Sequence, residues 1–261
     1  MSGQQRRHGV LSILLTLGLL ATGVSSGPVA AAQPSLAVGS TATPAASRPV
    51  RIDLFQSGDF VSQTNPVQCV GASMQMMLNM IRETPDRTAA TQLRLFNLAR
   101  SLRDPTVTPN PSWRGASAQG WAAGLTAAGG GPYAVESTAT LQEALALAAA
   151  AIARTGRPVG LLVWQGAHAW LMSGFEATGD PATDSSARVT AVRVLDPLYP
   201  RPVGSPWGPG PAPDALLSVA QLGRIFVPYR PYSRSTELRN RFVLVLPFLP
   251  AIVARFTIRP L

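Results

Sequence analysis

The chain has 261 residues, of which 46% are hydrophobic and 13% charged, and its formal net charge at pH 7 is +9. Its 23 glycines and 24 prolines stay below the roughly 25–30% of composition that is typical of low-complexity disorder, so a folded domain is expected. Every basic residue is an arginine. The lack of lysine excludes a Gly-Lys-Ser/Thr phosphate-binding loop and Schiff-base chemistry on a lysine amine.

Residues 1–32 have the pattern of a secretory signal peptide. Arg6 and Arg7 form a positive segment, residues 10–24 are an apolar run, and the Ala-Ala-Ala sequence at 30–32 offers a cleavage site. The apolar run is shorter than the ~20 residues that a membrane-spanning helix needs. We therefore expect export, with retention at the cell envelope if the signal is not cleaved.

The remaining sequence predicts one domain with flanking segments. Residues 33–50 are rich in Ala, Ser, Thr and Pro and predict a flexible linker. Residues 51–232 have a globular pattern without an internal repeat, which excludes a solenoid or a propeller. Residues 233–261 predict a C-terminal extension that supplies edge strands to the same domain, because prolines interrupt its apolar run.

Helices come first in this domain and strands follow. Apolar residues at helical spacing predict helices at 69–82, 86–102 and 117–127, and the capping box Thr140-x-x-Glu143 predicts another at 141–153. The period then changes, and strands are predicted at 159–164, 168–175 and 188–195. This order favours an α+β fold in which an antiparallel sheet packs on a helical half.

Cys69 is the single cysteine of the chain, at the start of the first predicted helix. It has no partner for an intrachain disulfide. The unpaired N–H groups and the positive dipole end of a helix N-terminus lower a thiol pKa toward the range of catalytic cysteines. Cys69 is thus a candidate nucleophile, and the alternative is a small buried hydrophobic residue.

His168 begins one predicted strand and Asp196 directly follows the next. Simple antiparallel register of two eight-residue strands sets residue 168 opposite residue 195, which places Asp196 beside His168. The carboxylate would accept the Nδ1–H of the imidazole and leave Nε2 facing the thiol. The alternatives are a structural histidine and an ordinary Asp-Pro turn.

Two more residues complete the predicted site. Gln63, six residues before Cys69, is a candidate donor to a developing oxyanion, and Gln68 competes with it. Among four tryptophans that could line a substrate groove, Trp170 is preferred because it shares the strand face of His168. Core packing is the alternative for all four, which are Trp113, Trp121, Trp164 and Trp170.

Three sequence blocks together resemble cysteine peptidase family 39 and its relatives in the papain-like superfamily. They are Gln63 followed by residues 69–78 (Cys-Val-Gly-Ala-Ser-Met-Gln-Met-Met-Leu), residues 166–175 (Gly-Ala-His-Ala-Trp-Leu-Met-Ser-Gly-Phe), and residues 192–197, which end in Asp-Pro. Val-Gly follows the cysteine where the family usually has Gly-Pro.

The resemblance implies a papain-like fold and a role for each candidate residue. Cys69 would be the nucleophile and His168 the general base and acid. Asp196 would orient the imidazole, and Gln63 would donate to the oxyanion.

The leading hypothesis is an exported papain-like cysteine hydrolase that cleaves a peptide or amide bond in a peptide or protein substrate. No cofactor or metal is expected, because one cysteine and the single histidine left after signal removal do not make a zinc ligand set. Two alternatives stay open: a catalytically silent papain-like binding module at the cell envelope, and a peptidoglycan amidohydrolase.

A group of arginines near the C-terminal end predicts a second kind of partner. Contact with an anionic envelope polymer or a membrane surface would use this group. No nucleic-acid-binding module accompanies it, so nucleic acid is not expected. Its members are Arg224, Arg230, Arg234, Arg239 and Arg241.

Overall fold

Five helices and seven strands form an α+β fold in the computed structural model, which describes residues 48–82, 84–103, 115–201, 209–230 and 237–249. This fold belongs to the unit Ala45–Leu261. The other unit, Met1–Pro44, contains the predicted signal peptide and most of the predicted linker and lies outside the described residues.

The helices begin where the sequence supplies capping side chains, with one exception. Thr88, Ser117, Thr140 and Ser218 each accept a hydrogen bond from a first-turn N–H, which satisfies a donor that has no acceptor within the helix. The exception is the first helix, whose N-terminus has no side-chain cap. The helices are α1 (Cys69–Ile81), α2 (Ala89–Ser101), α3 (Ala118–Ala127), α4 (Leu141–Thr155) and the short α5 (Val219–Leu222).

The strands form one sheet in which every described pairing is antiparallel. Its order is β2-β7-β3-β4-β5-β6, and β1 pairs with β4 beside this path. The strands are β1 (Val50–Asp53), β2 (Tyr133–Thr138), β3 (Val159–Val163), β4 (His168–Ala177), β5 (Val189–Leu195), β6 (Ala215–Ser218) and β7 (Phe242–Pro247).

Strand β7 lies inside the sheet, whereas the sequence predicted edge strands for the C-terminal extension. It pairs along its whole length with β2 and on its other side with β3. Pro247 is tolerated because it is the last residue of the strand. Strands β1, β2 and β6 were not predicted.

The sheet separates two hydrophobic cores, because successive side chains of a strand point to opposite faces. Helices α1, α2 and α3 pack on one face and form the first core with β4 residues such as Ala169 and Leu171. Helices α4 and α5 pack on the other face and form the second core with β4 residues such as Trp170 and Met172. Helix α1 therefore lies against β4. Cys69 is the first residue of α1, and His168 is the first residue of β4.

Within the described ranges, no helix combines the length and apolarity needed to cross a membrane.

Candidate active site

Cys69 is the first residue of α1 and is 8% exposed. The preceding turn is built by Asn65, whose carbonyl accepts the Gln68 N–H at 3.0 Å and whose side-chain oxygen accepts the Val67 N–H at 3.1 Å. The first N–H groups of a helix have no intrahelical acceptor and carry its positive dipole end. Because no side chain caps α1, these donors are available to a negative charge at Cys69.

His168 begins β4 and places its imidazole beside the carboxylate of Asp196. The imidazole Nε2 and Asp196 Oδ1 are 2.8 Å apart, and both side chains are buried. Asp196 Oδ1 also accepts the Leu198 N–H at 2.8 Å. The ring of Trp164 stacks on the imidazole, with centroids 4.6 Å apart and an angle of 19° between the planes.

Two features of the predicted His168–Asp196 geometry are wrong. Asp196 bonds Nε2 and not Nδ1, so Nδ1 is the nitrogen left for the thiol. The predicted register is also wrong, because Leu195 pairs with Leu171 and not with residue 168. Asp196 reaches the imidazole because the chain turns directly after β5, where the Tyr199 N–H donates to the Asp196 carbonyl.

Cys69 and His168 lie close enough for each to change the other's acidity. Burial alone would raise the pKa of the Cys69 thiol, but the hydrogen bond and charge of His168 outweigh it and hold this pKa below its ordinary value. Burial alone would lower the pKa of His168, whereas Asp196 and Cys69 raise it to about 9. Each group therefore favours the charged form of the other, a thiolate facing an imidazolium.

Hydrogen bonds join the loop before α1, which leads to Cys69, to the loop after β5, which begins with Asp196. The Gln63 N–H donates to the Pro197 carbonyl at 2.7 Å, and the Ser62 hydroxyl donates to the Tyr199 carbonyl. Helix α2 fixes the first loop through Gln92, whose amide accepts the Thr64 N–H at 2.8 Å and donates to the Ser62 carbonyl at 3.0 Å. One hydrogen-bond network thus connects the loop before α1, the loop after β5 and helix α2.

The side chain of Gln63 has a partner of its own. Its Nε2 donates to the Asn65 carbonyl at 2.8 Å, and its Oε1 is buried without a hydrogen bond among the described residues. The competing Gln68 uses its Oε1 to accept the Thr64 hydroxyl at 2.8 Å. Gln63 therefore lies in the loop of the site, with one of its two amide hydrogens engaged.

Trp170 is a core residue and not part of the candidate site, in contrast to the sequence-based expectation. Its side chain has no exposed surface and packs in the second core, on the face of the sheet opposite to α1. The aromatic residue at the site is Trp164, which lies in a single 3₁₀ turn between β3 and β4. The sequence signal for Trp164 was its position in the short connection between β3 and His168.

That turn depends on Gly166. Its φ is +93°, and a Cβ there would lie 2.1 Å from the ring of Tyr229. Only glycine fits such a close approach with a positive φ. The turn is further held by the Arg230 N–H, which donates to the Gln165 carbonyl at 3.0 Å.

Trp164 was among the four candidate tryptophans, whereas Arg201 is a residue that the sequence analysis missed. Its Nη2 lies 3.3 Å from Asp196 Oδ2, and its Cζ lies 4.9 Å from the centroid of Trp164. Its side chain is 6% exposed. No motif marks it: it follows Pro200 in a proline-rich segment, five residues after Asp196.

No protein-family model, curated protein or solved structure matches this chain. The site must therefore be interpreted from its own geometry. Among the described residues, no group of three or more His, Cys, Asp or Glu side chains is arranged to hold a metal ion.

Arg241, a member of the predicted arginine group, forms hydrogen bonds within the fold. The Arg241 guanidinium donates to the Ser137 hydroxyl at 2.8 Å and to the Ser137 carbonyl at 2.9 Å. Arg234 lies outside the described residues. Contact with an anionic polymer or a membrane surface stays a prediction.

Proposed function

We propose that this protein is a papain-like cysteine hydrolase that cleaves a peptide or amide bond. The observation that carries the proposal is the buried His168–Asp196 hydrogen bond of 2.8 Å beside the Cys69 thiol, whose pKa His168 lowers. A nucleophile, a base within hydrogen-bond reach of it, and a third group that orients the base are the general arrangement of nucleophilic catalysis. The position of Cys69 at an uncapped helix N-terminus adds stabilisation of the thiolate.

The first half of the reaction forms a thioester. The Cys69 thiolate attacks the substrate carbonyl carbon, and the carbonyl oxygen becomes an oxyanion. Backbone N–H groups at the start of α1 donate to this oxyanion, together with the second amide hydrogen of Gln63. The His168 imidazolium then gives its proton to the leaving amine nitrogen, the carbon–nitrogen bond breaks, and the acyl group remains on sulfur.

The second half of the reaction returns the enzyme to its starting state. Neutral His168 takes a proton from water, and the resulting hydroxide attacks the thioester carbon. Cleavage of the carbon–sulfur bond releases a carboxylic acid and restores the thiolate beside the imidazolium. Throughout, Asp196 accepts the Nε2–H and keeps the other ring nitrogen directed at the reacting atoms.

The proposal is tested by the pH dependence of Cys69 alkylation in the full chain. Since the chain has one cysteine, iodoacetamide reports on Cys69 alone. We expect an inflection below the ordinary thiol value, because only the thiolate reacts. His168→Ala should move the inflection upward and slow alkylation at pH 7 by about tenfold or more.

The control variant is His8→Ala, which removes the only other histidine of the chain. It should leave the alkylation profile unchanged. A wild-type thiol with an ordinary inflection that is insensitive to His168→Ala would refute the hydrolase mechanism.

A further inference from the structure

Arg201 contacts both groups that hold the imidazole of His168. At the edge of the ring, Asp196 bonds Nε2 with Oδ1 and faces Arg201 Nη2 with Oδ2, at 2.8 and 3.3 Å respectively. On the face of the ring, Trp164 stacks on His168, and the guanidinium of Arg201 lies over the indole at 4.9 Å. One buried cation therefore joins the two supports of the base.

The two oxygens of Asp196 have different partners. Oδ1 accepts hydrogen bonds from His168 Nε2 and from the Leu198 N–H. Oδ2 is buried and has no hydrogen bond among the described residues, so the ion pair with Arg201 is its compensating contact. A carboxylate anchored on both oxygens cannot rotate away from the imidazole, and this fixes the direction of Oδ1.

The environment of this ion pair keeps water away from it and so leaves it weakly screened. Arg201 is 6% exposed and Asp196 has no exposed surface. Gly210 packs directly on the pair, since a Cβ there would lie 3.1 Å from Asp196 Oδ2 and 3.5 Å from Arg201 Nε. Ion pairs that are excluded from water are screened much less than pairs at the surface.

We infer that Arg201 is a positioning residue of this active site, which orients Asp196 by its charge and Trp164 by its planar guanidinium. The inference rests on the proposed function and deepens it. A planar, delocalised cation is needed, because a lysine ammonium can pair with the carboxylate but cannot stack on an indole in the same way. A buried ion pair by itself is weak evidence for stability, so the test must read the state of the Cys69–His168 pair.

The test compares Arg201→Gln and Arg201→Lys with the matched control Arg193→Gln, all in the full chain. Arg193 also pairs with carboxylates, with Nη1 2.7 Å from Asp214 Oδ2 and Nε 3.2 Å from Asp53 Oδ2. We expect Arg201→Gln to raise the pH inflection of Cys69 alkylation by up to about 1 pH unit, because an imidazolium that Asp196 holds less firmly stabilises the thiolate less. Arg201→Lys should raise it by less, and Arg193→Gln should not change it.

A double-mutant cycle with Asp196→Asn asks whether Arg201 acts through Asp196. Residues in one network give combined effects that differ from the sum of the single effects. We expect Arg201→Gln in the Asp196→Asn background to add less than half of the shift that it produces alone. A combined shift equal to the sum would contradict action through Asp196.

Each failure has its own signature. An unchanged inflection in folded Arg201→Gln, beside a low and His168-dependent inflection in the wild type, would overturn the role of Arg201 and leave the hydrolase proposal intact. An ordinary inflection in the wild type would overturn the hydrolase proposal itself. If far-UV circular dichroism shows that Arg201→Gln is unfolded, Arg201→Lys carries the test, and a wild-type profile in that variant would overturn the stacking role.

Discussion

His168 and Cys69 shift each other's acidity in opposite directions, which has a consequence for stability against pH. The pKa of His168 is raised from 6.5 to about 9, so its stabilisation is complete below pH 6.5 and is lost as pH rises through about 9. The pKa of Cys69 is lowered from 9.0, so its stabilisation is complete above pH 9.0 and is lost as pH falls through the folded value.

The two dependences offset each other below about pH 9, at pH values above both 6.5 and the folded pKa of Cys69. In this window the folded pair holds one proton on the imidazole, and the unfolded pair holds one proton on the thiol. Stability depends on pH only where the folded and unfolded states bind different numbers of protons. We therefore expect a nearly flat contribution from this pair in the wild type.

Cys69→Ala should remove this balance. It leaves only the part of the His168 shift that Asp196 causes, so the free energy of unfolding should fall as pH rises, by less than about 1.4 kcal/mol per pH unit. Urea unfolding at pH 6.5, 7.5 and 8.5 measures it, with the wild type as the reference. Parallel curves for the two proteins would show that the buried pair does not exchange its proton as described.

At the residue scale, the sequence was sufficient for the groups with distinctive chemistry. Cys69 is the only thiol, and His168 and Asp196 lie at strand ends that hydrophobic alternation reveals. The ring nitrogen that faces Asp196 was not predictable, because it depends on a turn after β5 and on a strand register displaced from the simplest one. Arg201 was not predictable either, because its contacts with Asp196 and Trp164 depend on how the segment after β5 folds back, which leaves no sequence pattern.

At the scale of elements, the close packing of α1 on α2 determines where Cys69 lies. Gly71, two residues after Cys69, makes this approach possible, since a Cβ there would lie 2.8 Å from both the Gln92 carbonyl oxygen and Phe96 Cβ. Gln92 also fixes the loop that carries Gln63. A shift between the two helices would therefore disturb both sides of the site.

Gly71→Ala should lower the free energy of unfolding by about 1–3 kcal/mol, because overpacking against backbone forces the helices apart. The matched control is Gly124→Ala in α3. Its new Cβ would meet only the end of a flexible side chain closely, with Met74 Cε at 2.7 Å, and Met adapts readily. Both variants gain helix propensity, so urea midpoints that fall equally would contradict the backbone clash at Gly71.

The elements that the sequence predicted best are those with long and regular patterns. Helices α1 and α4 and strand β3 begin where hydrophobic spacing and the Thr140 capping box place them. Strands β1 and β6 have four residues each, too few to show an alternation. The internal position of β7 could not be predicted, because strand order depends on long-range pairing that local spacing does not encode.

At the scale of the whole molecule, the sheet lies between the two hydrophobic cores and contributes side chains to both. Consecutive residues of β7 belong to different cores: Leu244 to the second core, and Val245 to the first core, which also contains Cys69. Strand β4 does the same with Ala169 and Trp170. A defect on the face away from the site is thus transmitted through the strands to the face that carries it.

Leu244→Ala tests whether the two cores unfold as one unit. Leu244 has no exposed surface, and truncation of such a leucine costs about 2–5 kcal/mol. The urea midpoint should fall when followed by far-UV circular dichroism, and exposure of Cys69 to alkylation should move to the same lower midpoint, because coincident probes are the mark of a cooperative transition. Leu216→Ala on edge strand β6, where the side chain is 43% exposed, is the matched control and should change both midpoints little. If Leu244→Ala lowered the circular dichroism midpoint but left Cys69 protected to the wild-type urea concentration, the core that contains Cys69 would be a separate cooperative unit.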